Sequence, residues 1–320
     1  MIVTLTPNPS LDRTIELTAP LERGEVQRAT AASQHPGGKG VNIVRALSAS
    51  GAAALALLPG DASDAVVLAL ALEKIPHAAL PIGSSLRSNV TITEPDGTTT
   101  KVNEPGPAIP PAQLAELLAM TVERSAGASW LVLAGSLPPG VPEDFYATAI
   151  EAVRAAHGTK APRIAVDSSG APLRACLRAA PELLKPNGEE LAELTGHSTG
   201  PALEADPELA ARAAATLVQQ GAGAVLATLG SNGAVLVTAQ GSWHGRGPAI
   251  RARSTVGAGD SALSGYLLAT DRGDSPVACL QQAVAHGAAA ASLPGTSVPS
   301  LAQTHPAAVV VTVLAPAKEN

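Results

Sequence analysis

Residues 130–140 read WLVLAGSLPPG. Trp130 to Ala134 form a short apolar run of the kind a buried strand needs, and Gly135 to Gly140 end it. Helical patterning begins at Glu143. The same unit recurs downstream. Arg163–Val166 ends in Asp167-Ser168-Ser169-Gly170, and Leu183-Leu184 leads through Lys185-Pro186-Asn187 into a helix reaching Leu194. Ala224–Leu229 runs into Gly230-Ser231-Asn232-Gly233, and Ala234–Thr238 returns as a further strand. This alternation predicts an α/β fold with a mostly parallel sheet and helices on both faces. Open sheets of this kind bind ligands beyond the carboxyl ends of their strands, where each small-residue cluster falls.

Upstream the pattern changes. Ile2–Leu5 reads as a core strand, whereas Pro7 to about Thr30 is rich in turn residues and charges. Ser88–Glu94 alternates in polarity, turns at Pro95-Asp96-Gly97 and continues as Thr98–Asn103, a hairpin signal. Residues of about 7–34 and 86–105 are therefore expected to form a small β-sheet lid on a single domain spanning 1–320. No linker, low-complexity tract or internal repeat interrupts it.

Hydrophobic residues make up 46% and charged residues 15%, which marks a globular chain rather than a disordered one. With one Phe, two Tyr and two Trp, the core must be packed from Ala, Val and Leu. The net charge of −6 argues against nucleic acid as partner but leaves room for a phosphorylated small molecule. Cys176 and Cys279 form no CxxC pair and the seven histidines show no ligand spacing, so neither a zinc site nor a disulfide framework is expected. The opening residues lack a basic segment followed by an apolar run, and no apolar run approaches the ~20 residues of a membrane span. A cytoplasmic protein without membrane contact is expected.

Ser254-Thr255-Val256-Gly257-Ala258-Gly259-Asp260-Ser261 leads into an apolar-periodic helix. Backbone N–H groups converge at such a turn and the helix dipole adds positive charge, which suits a phosphate. An aspartate there opposes ground-state binding of an anion, yet suits a base that takes a proton from an attacking hydroxyl. The alternative is a first-turn acid that stabilises the helix dipole. Gly37-Gly38-Lys39-Gly40-Val41-Asn42 offers Lys39 and Asn42 as donors, or is a loop-to-helix junction with a solvated lysine; it is not a Walker loop. Asn187 and Glu190 share one face at a helix start, where they either hold Mg²⁺ through its waters or close a capping box. Thr228 to Gly233 reads as a phosphate approach or a hairpin turn, Arg87 as a phosphate grip or a surface arginine, and Asp12 as a sugar acceptor or a turn residue.

In order along the chain, TPNPSLD, GGKGVN, GSLPPG, DSSG, KPNGEEL, TLGSNGA and STVGAGDS together resemble the phosphofructokinase-B branch of the ribokinase-like carbohydrate kinases. The resemblance implies a ribokinase-like three-layer α/β/α domain whose β-lid mediates a homodimer. It implies Asp260 as catalytic base, with Gly257, Ala258 and Gly259 as the anion hole for ATP. Lys185, Asn187, Thr228, Gly230 and Gly233 would line the nucleotide site, with Asn187 and Glu190 holding Mg²⁺ through water. Asp12, Gly38, Lys39, Asn42, Arg87 and Ser136 would hold the phosphosugar, and adenine would lie near Ala290–Gly295. Lys39 within GGKG, Ser254-Thr255 before the turn and Asn103-Glu104-Pro105-Gly106-Pro107 are similar to 1-phosphofructokinases and tagatose-6-phosphate kinases. The implied reaction is ATP-dependent phosphorylation of fructose 1-phosphate to fructose 1,6-bisphosphate. Tagatose 6-phosphate is the alternative acceptor; a 6-phosphofructokinase of the same branch, or a non-catalytic sugar-phosphate sensor, stands behind both.

Overall fold

The computed structural model describes residues 1–316. Its strands begin with β1 (Ile2–Leu5), β2 (Ser10–Leu17), β3 (Ala29–Gly37), β4 (Ala54–Pro59), β5 (His77–Leu80), β6 (Arg87–Thr93) and β7 (Thr99–Asn103). There follow β8 (Trp130–Ala134), β9 (Arg163–Asp167), β10 (Leu183–Leu184), β11 (Ala224–Thr228), β12 (Ala234–Thr238), β13 (Gly241–Arg246) and β14 (Val310–Pro316). The first five helices are α1 (Lys39–Ala49), α2 (Ala65–Leu72), α3 (Pro111–Arg124), α4 (Phe145–His157) and α5 (Gly170–Cys176). The others are α6 (Gly188–Thr195), α7 (Gly200–Ala205), α8 (Pro207–Gln219), α9 (Ala258–Asp271) and α10 (Pro276–Ala291).

Ten strands form one sheet in the order β14-β13-β12-β11-β10-β9-β8-β1-β4-β5. From β5 to β11 every pairing is parallel, as the strand–cluster–helix alternation requires. The edge from β11 through β14 is antiparallel. Side chains alternate across this sheet and build two cores. Val3, Leu5, Leu131 and Leu133 face one way, onto Leu117 of α3 and Ile150 of α4. Ile2, Trp130 and Val132 face the other way, onto Ile43 of α1 and Leu263 and Leu267 of α9. The three layers follow from that alternation. Each buried leucine contributes about 1.5–3 kcal/mol, so the two cores hold the strand ends in fixed register.

The smaller sheet runs β3-β2-β6-β7. Parallel pairing of β2 with β6 sets Asp12 opposite Asn89, and β6 and β7 form a hairpin. Gly97 N–H donates to the Glu94 carbonyl at 3.0 Å to close its turn. No helix among the described residues is long and apolar enough to cross a membrane. Both cysteines are buried free thiols.

Candidate active site

The turn before α9 sets the geometry. Gly257 caps that helix in the left-handed region, φ 74, which a side chain would strain. No side chain caps α9; the Ala258 N–H makes a long bond of 3.4 Å to the Thr255 carbonyl, and those of Gly259 and Asp260 remain available to an anion. Asp260 lies in the first helical turn and is 8% exposed. Its Oδ2 accepts a hydrogen bond from Asn42 Nδ2 at 2.9 Å, across from α1. Burial and then the charge of Asp167 push its pKa up to about 6, against Lys39, the Asn42 bond and Lys185. A carboxylate so tuned accepts a proton near neutral pH far better than an ordinary aspartate does.

Lys39 stands one turn before Asn42 on α1, so both side chains project from one helix face. Its Nζ lies 2.6 Å from Asp167 Oδ1 and 3.3 Å from Glu190 Oε1. Burial alone would lower its pKa, but Asp167 first and Glu190 second overcome this and leave it above its ordinary value. Lys185, only 3% exposed, brings its Nζ to 3.1 Å from Asp167 Oδ2. That approach makes an ion pair but lies outside hydrogen-bond alignment, so Oδ2 keeps no directed donor. Asp167 is wholly buried at the end of β9; burial raises its pKa, yet Lys185 and Lys39 hold it below its ordinary value. A Cβ added at Gly259 would sit 3.4 Å from Lys185 Nζ, so this ammonium reaches the turn itself.

Asn187 caps α6 in a closed box: Glu190 N–H donates to its Oδ1 at 2.8 Å, and its own N–H donates to Glu190 Oε2 at 2.9 Å. The capping alternative is thus realised, and Glu190 additionally faces Lys39. No group of three or more His, Cys, Asp and Glu among the described residues is arranged to hold a metal directly. Oxygen donors that keep free lone pairs, with an unsatisfied Asp167 Oδ2 nearby, fit an ion that retains its own waters. Thr228 pairs with Asn187 through an isolated parallel bridge, and its N–H donates to the Pro186 carbonyl at 3.0 Å. Gly230 opens the short turn after β11. At Gly233 a Cβ would come within 2.0 Å of the Gly245 carbonyl, so that glycine is explained by the approach of β13 alone.

A second group sits on the small sheet. Asp12 Oδ1 accepts from Ser10 Oγ at 2.7 Å and from Asn89 Nδ2 at 3.0 Å. Arg87 donates to the carbonyls of Asn8 at 3.2 Å and Glu104 at 3.1 Å. Asn8 Nδ2 reaches the Pro105 carbonyl at 3.0 Å and Ser136 Oγ at 3.2 Å, tying this sheet to the loop after β8. Gly38 caps α1 between the two groups without a side-chain bond. Ion pairs and hydrogen bonds thus gather Lys39, Lys185, Glu190 and Asn187 about Asp167, and α1 carries the separate Asn42–Asp260 pair alongside Lys39. On the other side Arg87 and Ser136 are joined through Asn8, and Asp12 is joined to Ser10 and Asn89. Sequence reasoning gave no role to Asp167 or Asn8; the signals were an acid closing an apolar strand, and an amide between two prolines.

A cleft of about 310 Å³ opens beside α10, lined by Ile250, Ala285, Ala288, Ser292 and Leu293. It does not contain Asp260. It is linked to the turn because Arg253 and Ser254 N–H groups donate to the Ala291 carbonyl at 2.8 and 3.3 Å.

Residues 5–303 match the profile described as pfkB family carbohydrate kinase. The chain is 35% identical over 303 residues to the 1-phosphofructokinase of Haloferax volcanii, covering 94% of each. It is 33% identical to the ATP-dependent 6-phosphofructokinase isozyme 2 of Mycobacterium tuberculosis, over 92% of this chain and 85% of that one. Among solved structures, Escherichia coli phosphofructokinase-2 in complex with substrates and products superposes with a TM-score of 0.85 at 32% identity, over 94% of this chain and 96% of that one.

Proposed function

This chain belongs to the pfkB family of carbohydrate kinases and is an ATP-dependent sugar-phosphate kinase, and from that premise we propose that it phosphorylates fructose 1-phosphate. The 6-hydroxyl would attack the γ-phosphorus of ATP, giving fructose 1,6-bisphosphate and ADP. One observation carries the mechanism: a buried carboxylate with its pKa pushed up to about 6 stands at the open amino end of α9.

Asp260 takes the hydroxyl proton as the oxygen attacks, and Asn42 holds the carboxylate in line. The N–H groups of Gly257, Ala258 and Gly259 meet the charge on the transferred group, that of Ala258 by leaving a long bond of 3.4 Å to the Thr255 carbonyl. Lys185 supplies a cation beside them. Asn187 and Glu190 would hold Mg²⁺ through its waters, where it would neutralise phosphate charge. Thr228 and Gly230 flank the nucleotide phosphates, and the apolar cleft beside α10 takes the base, touching Ser292 and Leu293 within the stretch expected from sequence. Asp12, Gly38, Asn42, Arg87 and Ser136 hold the acceptor, with Lys39 on the boundary between the two sites. The small sheet then acts as a lid that excludes water, and as the face of a homodimer. Action on a free phosphosugar with ATP suits the cytoplasm.

Lys39 within GGKG and the Haloferax relative favour fructose 1-phosphate. The Mycobacterium relative favours a second reading, fructose 6-phosphate phosphorylated at the 1-hydroxyl. Comparing kcat/KM for fructose 1-phosphate, fructose 6-phosphate and tagatose 6-phosphate decides among them. Preference for fructose 1-phosphate by at least about tenfold, or about 1.4 kcal/mol, is expected; the reverse order refutes the proposed acceptor.

A further inference from the structure

We propose that Asp167 is a positioning residue for phosphoryl transfer, its buried carboxylate fixing the ammonium groups of Lys39 and Lys185 so that both act on the group in flight. The inference rests on the kinase reading above and deepens it. Asp167 is 0% exposed, yet it is an ion-pair partner of cations from two separate elements. Lys39 comes from α1, the helix whose Asn42 grips Asp260. Lys185 comes from the segment after β10 and ends beside Gly259. One carboxylate therefore spans the base on one side and the anion turn on the other.

Burying the charges of Asp167 and Lys185, with Lys39 half-buried beside them, carries a desolvation cost of several kcal/mol per buried ion, which a purely structural contact at this strand end would not require. An apolar residue there would pack as Ala165, on the same face of β9, does. What the carboxylate adds is location. A flexible lysine stem samples many rotamers, and each ammonium is held here by one oxygen of a rigid, strand-borne group. Lys39 is also placed by Glu190, at 3.3 Å, so two carboxylates fix its ammonium on the boundary between the two sites.

The test is a set of mutant cycles on the full chain with MgATP and fructose 1-phosphate, with wild type assayed alongside. Asp167→Asn should keep its melting midpoint within about 5 °C and lose kcat by about 100-fold. Both KM values should change less than about threefold. Combined with Lys39→Met or with Lys185→Met, the further loss caused by Asp167→Asn should shrink at least about fivefold, because the cation it positions is gone. An equal loss in every background, or near-normal kcat in folded Asp167→Asn, overturns the proposal. Should the Asn variant not fold, Asp167→Glu keeps the charge and displaces it by one methylene. A loss of about tenfold or more in kcat supports positioning, and wild-type kcat overturns it. If wild type itself turns over no ketohexose phosphate, the kinase reading fails instead.

Discussion

Asp167 and Asp260 are both buried carboxylates within the same charged cluster, and the structure drives them in opposite directions. Asp167 meets two ammonium groups and stays ionised below the ordinary aspartate range. Asp260 is pushed up to about 6 by burial and then by the negative charge of Asp167, against the hydrogen bond from the neutral Asn42 amide. In the proposed mechanism identical side chains thus take different tasks, one as a fixed anion and the other as a proton acceptor. Pairs pushed apart in this way mark acid–base chemistry more reliably than either residue alone.

The largest expected effect falls on Asp260. Asp260→Asn should lower kcat by about 10²–10⁴-fold while both substrates still bind in calorimetry. Loss of binding instead of turnover would make Asp260 a ligand anchor rather than a proton acceptor and remove its side of the contrast.

A smaller effect concerns stability. Because the folded pKa of Asp260 lies above the ordinary aspartate value of about 3.9, its contribution to stability is full below that value and is lost as pH rises through about 6. Asp260→Asn should therefore gain stability over wild type as pH rises from 4 to 8, by an order of 1–3 kcal/mol in urea titrations. Asp167 carries the opposite sign, contributing above its unfolded pKa and losing that contribution as pH falls. A gain that does not grow with pH would place Asp260 in an ordinary, solvated setting.

Much of this site was legible because its motifs are local. Glycines, prolines and a following helix lie within a few residues of each strand end, so Gly257–Asp260 and Lys185–Glu190 could be read without coordinates. Asp167 could be seen only as the end of an apolar run. Its role depends on Lys39, 128 residues upstream, and no spacing rule connects them. The outer part of the antiparallel edge, beyond β12, was hidden for a similar reason. Gly241–Arg246 carries little apolar alternation and becomes a strand by pairing with β12 and β14. At Asn187 and Glu190 the structure realises the capping reading, and the second carboxylate oxygen of Glu190 meets Lys39.

The proton itself gives the sharpest check. In wild type, kcat should fall about tenfold per pH unit below a midpoint near 6, and the residual activity of Asp260→Asn should show no such limb. An unchanged acid limb in the Asn variant would mean that another group receives the hydroxyl proton.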